Sequence, residues 1–122
     1  MTRNYDLARA YWDTEITRDL DAIMAFYHDD ATFVAPGWSL QGRDAIRGFY
    51  ANAAELYPGL EVDIVHETTS GAQSAFEWQS VLITSAGVRY PLRGINCVTL
   101  LDGKFTAVRS FYDTAELTPL GN

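Results

Sequence analysis

The first half of the chain carries apolar residues at helical spacing. Over residues 4–17 these positions recur at steps of three and four and form one stripe, made of Tyr5, Ala8, Tyr11, Trp12 and Ile16. Asp19 is a suitable N-cap for a second helix, whose apolar positions are Leu20, Ile23, Met24 and Tyr27. A third helix is predicted to open at Gly42 and to run to about Tyr57, because Pro58-Gly59 cannot continue it.

The remaining segments have the composition or the two-residue period of strands. A short strand is predicted over residues 31–34, and Pro36-Gly37 ends it. Four longer strands are predicted over residues 60–68, 74–85, 88–101 and 104–113, followed by a tail at 114–122. Asp102-Gly103, between CVTLL and KFTAV, is the strongest hairpin signal in the chain.

Helices followed by a run of antiparallel strands predict an α+β fold and not an alternating α/β one. Three helices on one face of a curled sheet would leave a conical pocket between the two layers. Alternation places Leu92, Gly94, Asn96 and Val98 on one face of their strand, and Val108, Ser110 and Tyr112 on one face of the last strand. We expect these faces to line the pocket, and we expect residues 1–122 to form a single domain.

Composition narrows the possible functions. With 48% hydrophobic and 20% charged residues, the chain has the make-up of a soluble globular protein. Its net charge of −7 argues against nucleic acid and anionic membranes as partners. No apolar run approaches the roughly 20 residues of a membrane span, and the first residues, MTRNYDLARAYW, lack a signal-peptide core. The single cysteine, Cys97, cannot form an internal disulfide, which favours a cytoplasmic location.

Metal and cofactor sites are not predicted. His28, His66 and Cys97 have no close spacing, so no metal site is supported, and the chain has neither a phosphate-binding loop nor a serine nucleophile motif. His28 is expected to stabilise the end of the second helix. His66 is in phase with Val62 and Ile64, which leaves open a histidine inside the fold or, less favourably, a catalytic one.

Two polar side chains are candidates for chemistry in the pocket. Tyr11 on the first helix and Asn96 on the sheet are the best pair of hydrogen-bond donors, and two converging donors can hold a carbonyl oxygen or an enolate. Asn96 lies in the apolar run INCVTLL, where an amide without a partner costs about 1–3 kcal/mol. The alternative is structural: Tyr11 and Trp12 pack in the core, and Asn96 bonds a neighbouring group.

Three segments resemble a known superfamily. FYHDDATFVAP, GRDAIRGFYAN and INCVTLLDGKFTAVRSFYD are similar to the ketosteroid-isomerase and SnoaL-like branch of the nuclear transport factor 2-like superfamily. The resemblance covers the chain from Tyr11 to about Leu117. It implies a cone-shaped, curved and mostly antiparallel sheet packed against three N-terminal helices around a central pocket. It also implies a homodimer, which we expect to form through the sheet.

The resemblance supplies the donors but not the acids. Tyr11 matches the oxyanion-hole tyrosine of the isomerases, and Asn96 matches their protonated pocket aspartate. The position of their aspartate base is Ala35, and an acid on the last strand of the related hydrolases and cyclases matches Ser110. The Arg-x-Asp of the hydrolases aligns near residues 77–79 and is absent.

Weak base candidates remain, and the rest of the pocket is aromatic. Glu77, His66 and Asp13 are the candidate bases, although alternation with Phe76 and Trp78 predicts that Glu77 faces outward. The predicted substrate-binding residues are Trp12, Tyr27, Phe33, Ala35, Trp38, Tyr50, Trp78, Ser110 and Tyr112.

Three functions follow from this pattern. The first is an enzyme of the isomerase, cyclase or hydratase type that acts on an apolar carbonyl compound without the usual aspartate base. The second is a pocket that binds a small apolar molecule without turning it over. The third is a dimeric assembly domain. Tyr11 and Asn96 favour the first two, since an assembly domain has no need of donors in a pocket, while Ala35 and Ser110 favour binding over a standard isomerase.

Overall fold

The computed structural model of the chain describes residues 3–117, which form three helices and six strands. The helices are α1 (Asn4–Glu15), α2 (Leu20–Met24) and α3 (Arg43–Leu56). The strands are β1 (Tyr27–Ala35), β2 (Trp38–Gln41), β3 (Gly59–Ser70), β4 (Gln73–Ile83), β5 (Arg89–Leu101) and β6 (Lys104–Tyr112). A short 3-10 turn follows at Thr114–Glu116, in the predicted tail, while residues 118–122 lie outside the described part.

The strands form one curved sheet in the order β2-β1-β6-β5-β4-β3. All neighbours pair antiparallel except β1 and β6, which are parallel. The three helices cover one face, and the α+β prediction of a cone-shaped, mostly antiparallel sheet is confirmed. The hairpin at Asp102-Gly103 is also confirmed, since Leu101 pairs with Lys104 across it.

The inner face of the sheet and the helices share one core. Its most deeply buried large side chains are Tyr27, Tyr50, Phe76, Ile23 and Ile46. The predicted alternation holds on β5 and β6, because Leu92, Val98 and Val108 are buried while Arg93 and Phe111, on the opposite face, are exposed. Asn96 and Tyr112 are only partly buried, which is consistent with positions next to an open cavity.

The boundary between α2 and β1 differs from the prediction. Tyr27 and His28 lie on β1, not on the second helix, because the backbone at Phe26 and Tyr27 already pairs with Phe105 of β6. His28 therefore caps no helix end. Its Nε2 lies 2.6 Å from the carbonyl oxygen of Leu101.

Strand β2 was not predicted. Residues 38–41 fold back on β1 through the Pro36-Gly37 turn, where Gly37 adopts a φ of +82°, a conformation that favours glycine. Trp38 thereby pairs with Ala35. The segment was expected to be a loop because its apolar residues are too few to show a period.

No helix among residues 3–117 has the length and apolar content that crossing a membrane requires.

Candidate functional site

A cavity of about 330 Å³ opens between the sheet and helices α1 and α3. Its walls are mostly apolar and aromatic, and their side chains come from α1, α3 and the sheet. They include Tyr11, Glu15, Arg18, Phe33, Pro36, Trp38, Phe49, Tyr50, Leu56, Tyr57, Leu60, Val62, Trp78, Leu92, Asn96, Ser110 and Tyr112. A concave apolar site with few polar groups is the usual form of a small-molecule pocket.

Three tyrosine hydroxyls form a chain at the inner end of this cavity. The Tyr50 hydroxyl lies 2.5 Å from that of Tyr27 and also bonds the hydroxyl of Tyr11. Tyr11 and Tyr50 line the cavity, whereas Tyr27 lies behind them in the core. If the protons run from Tyr27 to Tyr50 to Tyr11, the Tyr11 proton is free to point into the cavity. Such a chain strengthens its last donor, because successive hydrogen bonds polarise one another.

Burial keeps these hydroxyls protonated. Desolvation raises the pKa of Tyr11 well above its ordinary value, and the negative charge of Glu15 raises it further. The pKa values of Tyr27 and Tyr50 are also raised, chiefly by burial. The tyrosines are therefore neutral donors throughout the physiological pH range.

Asn96 combines a structural and a pocket-facing role. Its Oδ1 accepts hydrogen bonds from the Trp78 indole (2.9 Å) and the Ser110 hydroxyl (2.7 Å). Because an indole N–H can only donate, this oxygen is the acceptor and the orientation of the amide is fixed. The Nδ2 donors are left without a partner among the described residues. Tyr11 and Asn96 also share the walls of a void of about 10 Å³ at the narrow end of the cone.

Glu15 is a site residue that the sequence interpretation missed. It is half-buried, lines the cavity and lies four residues after Tyr11 on the same face of α1. Burial raises the pKa of the Glu15 carboxyl to about 7, although the charge of Arg18 and the Tyr11 hydroxyl act in the opposite direction. The carboxyl is therefore close to half ionised at neutral pH, which suits it to take and return protons.

The four-residue spacing between Tyr11 and Glu15 was the sequence signal that could have identified Glu15. Tyr11 and Glu15 are four residues apart and lie on one face of α1, and Arg18 follows in the turn after the helix, where it lines the same cavity. The sequence interpretation took Asp13 as the candidate acid on this helix and passed over Glu15.

Most of the predicted binding residues do line the cavity. Phe33, Trp38, Tyr50, Trp78, Ser110 and Tyr112 are in its wall together with Tyr11 and Asn96. Trp12 and Tyr27 instead pack in the core around the narrow end. Ala35 is buried at the end of β1, next to Pro36 of the wall, but is itself not part of the wall.

The three base candidates lie outside the cavity. Glu77 is exposed on the outer face of β4, as alternation predicted, and it pairs with His66 on β3. His66 is exposed because a bulge between Ile64 and His66 shifts the phase of β3, which corrects the alternative of a histidine inside the fold. Asp13 is exposed and lies 3.4 Å from Arg9. The structure gives none of the three access to a ligand in the cone.

A larger depression of about 540 Å³ lies on the outer side of β3, β4 and β5. Its charged groups include Glu61 and Arg93, which pair with Arg89 and Glu116 at 2.8 and 3.4 Å. It holds none of the predicted site residues. We therefore place the candidate site in the smaller, apolar cone.

Solved structures with a similar fold differ in their ligands and in the activities that their descriptions name. A protein with a ketosteroid isomerase-like fold from Catenulispora acidiphila, in complex with trimethylamine, has a TM-score of 0.82 and 16% identity over 92% of this chain and 88% of its own. A protein from Shewanella putrefaciens described as a SnoaL-like polyketide cyclase has a TM-score of 0.83 and 16% identity, over 95% and 83% of the two chains. An LEH-like epoxide hydrolase from M. tuberculosis has a TM-score of 0.77 and 20% identity, over 91% and 83%.

The TM-scores establish the fold, while identities of 16–20% leave the activity open. No curated protein sequence matches the chain. The model of the SnoaL-like domain matches residues 8–108, which is most of the chain and includes Tyr11, Glu15 and Asn96. The chain therefore belongs to the SnoaL-like domain family.

Proposed function

We propose that this protein binds a small, mostly apolar carbonyl compound in the cone and moves a proton on it, as an isomerase, cyclase or hydratase does. The observation that carries the proposal is Glu15. A carboxyl whose pKa lies near neutrality faces the same cavity as the Tyr11 hydroxyl and the free Asn96 amide. Perturbed acids in apolar clefts are characteristic of functional sites.

The proposed step is an enolisation. Ionised Glu15 removes a proton from the carbon next to the carbonyl, and the electron pair moves onto the carbonyl oxygen. Tyr11 and Asn96 Nδ2 donate hydrogen bonds to that oxygen as its charge develops. Neutral Glu15 then returns the proton to the same carbon, to a conjugated carbon or to a departing hydroxyl. The three outcomes are exchange, isomerisation and dehydration.

This arrangement explains how the chain functions without the usual acids. Ala35 and Ser110 stand where related enzymes hold carboxylates, and Ser110 here supports Asn96 by donating to its Oδ1. Glu15 reaches the cavity from the opposite layer, on α1. In this proposal Tyr11 and Asn96 keep the positions of the donors in the related isomerases, whereas the base, Glu15, comes from a different position.

Hydrogen exchange on a simple ketone tests the proposal without knowledge of the natural substrate. The protein is incubated with 2-tetralone in deuterated buffer, and loss of the α-proton signals is followed by NMR. We expect exchange above the buffer rate and expect Glu15→Gln to reduce the catalysed part by about 100-fold or more. Tyr11→Phe should reduce it as well.

Glu77→Gln is the matched control, since it makes the same change on the outer face and should leave the exchange rate as it is. The rate should rise as pH increases through about 7, because the ionised form of Glu15 is the base. Exchange at the buffer rate, or an undiminished rate in folded Glu15→Gln, would contradict the enzymatic proposal.

A binding protein without turnover is the second candidate. The observation that favours it is the replacement of both expected acids, at Ala35 and Ser110. The outcome that identifies it is saturable binding of the ketone, weakened by Trp78→Ala in the cavity wall, with exchange that stays at the buffer rate.

A further inference from the structure

Arg18 adopts a backbone conformation that arginine seldom takes. In the turn between α1 and α2 its φ is +61°, in the left-handed region where glycine and asparagine are the usual residues. The turn is closed by a hydrogen bond from the Arg18 N–H to the carbonyl of Glu15 at 3.0 Å. A bulky residue in this conformation costs about 1 kcal/mol or more, so its side chain has a reason to be there.

Arg18 lines the cavity, and the protein satisfies its guanidinium only in part. Its Nη2 donates to the carbonyl oxygen of Tyr57 at 2.6 Å, which fixes the group against the end of α3. Its Nε is buried and is the one buried side-chain nitrogen or oxygen without a hydrogen-bond partner in the described part of the chain. Among those residues, no carboxylate lies within 4.0 Å of this guanidinium, although Glu15 lines the same cavity.

A charged guanidinium at an apolar wall, with donors that lack protein partners, is costly, and a ligand oxygen on the side that lines the cavity would reduce the cost. Arginine presents a planar fork of N–H groups that matches a carboxylate better than it matches a neutral ketone. Much of the remaining wall, including Leu56 and Leu60, is apolar.

We propose that Arg18 is a substrate-binding residue that receives a carboxylate on the ligand. This inference rests on the proposed function, because it adds a carboxylate to the same apolar carbonyl compound and names the residue that binds it. The substrate class becomes a keto acid or a related apolar acid, held at its carbonyl by Tyr11 and Asn96 and at its carboxylate by Arg18. The positive charge of Arg18 also acts on Glu15, so it offsets the repulsion between the ligand carboxylate and the ionised form of Glu15.

Binding of two naphthalene ligands of similar size tests the inference. The probes are 2-naphthoate and its neutral counterpart 2-acetylnaphthalene, titrated by calorimetry. We expect the wild-type protein to prefer the carboxylate by about tenfold. Arg18→Gln should remove the preference, because it weakens the binding of naphthoate more than the binding of the ketone.

Arg109→Gln is the matched control, because it removes the same charge from an exposed position on β6 and should retain the preference. Arg18→Gly provides a second variant that relieves the left-handed strain, so it should fold at least as stably while losing the preference too. A tenfold preference retained in both folded Arg18 variants would overturn the inference.

The outcomes separate this inference from the function on which it rests. Equal affinity of the wild-type protein for both ligands rejects the role of Arg18 while the ketone-binding cavity stands. Absence of binding by either ligand contradicts the cavity itself, and the role of Arg18 falls with it.

Discussion

Glu15 and Arg18 are opposite charges at one wall of an apolar cone, and their environments change both. Burial raises the pKa of the Glu15 carboxyl to about 7 and lowers the pKa of the Arg18 guanidinium, while each charge offsets part of the effect on the other. Because ionised Glu15 is poorly solvated in the folded protein, its charge is a source of instability as well as of reactivity.

The pH dependence of stability should reveal this cost. The pKa of Glu15 in the folded protein, about 7, exceeds the ordinary value of 4.5, so between these values the folded chain holds a proton that the unfolded chain has released. The free energy of unfolding therefore falls as pH rises from 5 to 8, by at most about 3 kcal/mol from this group.

Glu15→Gln should lose that part of the pH dependence. Denaturant unfolding of both proteins at pH 5 and pH 8 measures it, and the stability of the variant relative to wild type should increase with pH. Parallel pH profiles for the two proteins would show that Glu15 titrates normally.

Ala35 offers a gain-of-function prediction. It is buried on the inner side of β1, at the position where the isomerases that the chain resembles hold their aspartate base. With Tyr11 and Asn96 in place as donors, Ala35→Asp should raise the isomerisation of a β,γ-unsaturated steroid ketone by about 100-fold. Ala35→Asn is the control, since it adds similar bulk without a base. A folded Ala35→Asp protein with no gain would argue against the donor geometry.

Sequence alone pointed to Tyr11 and Asn96 but not to Glu15, for a physical reason. Tyr11 and Asn96 stood out because each is polar in an apolar pattern, and both proved to line the cavity. Glu15 is a charged residue near a helix end, which is an ordinary solvent-facing position. Only the tertiary arrangement of α1 against α3 and the sheet shows that its carboxyl is desolvated.

Gly94 on β5 packs closely against Phe111 of β6 and the Trp78 ring of β4. A Cβ added at Gly94 on β5 would lie 2.4 Å from the carbonyl oxygen of Phe111 and 2.6 Å from the Trp78 ring. Neither neighbour can retreat without disturbing the pairing of β5 with β6 or the cavity wall. We expect Gly94→Ala to lower the free energy of unfolding by about 2 kcal/mol.

At Gly48 on α3, substitution by alanine should have the opposite effect on stability. An added Cβ there meets no atom within 4 Å, and alanine favours a helix over glycine by about 0.5–1 kcal/mol. Gly48→Ala should therefore stabilise the protein. Thermal or denaturant unfolding of the two variants checks both signs, and equal effects would be incompatible with this packing.

Long periodic elements were predictable, while short ones were set by tertiary pairing. The helical stripe of α1 and the alternation of β3 to β6 carried enough residues for their periods to show. Residues 26–28 continue the helical pattern in the sequence, but the chain here pairs with β6 instead. The Phe105 N–H donates to the Phe26 carbonyl oxygen at 2.8 Å, and β1 begins at Tyr27. Strand β2 exists because it can pair with β1, a partner that local sequence does not specify.

We predict that the protein forms a homodimer through the outer face of the sheet. Ile95 and Phe111 are register partners on β5 and β6 and remain 43% and 51% exposed. Two large apolar residues side by side are a reason for this face to be covered. Light scattering should give a dimer mass, and Phe111→Lys should yield a folded monomer. A wild-type monomer at micromolar concentration would contradict dimerisation.

Nuclear magnetic resonance titration of the Glu15 carboxyl is the most direct test of a base in the cone. Protein labelled with ¹³C at glutamate side-chain carboxyls is titrated from pH 4 to pH 9, and the signal missing in Glu15→Gln identifies the residue. Our interpretation requires a midpoint near pH 7, with the pKa raised by burial. A midpoint near 4.5, the ordinary value for glutamate, would show a solvated carboxylate and would contradict the role of Glu15 as the base.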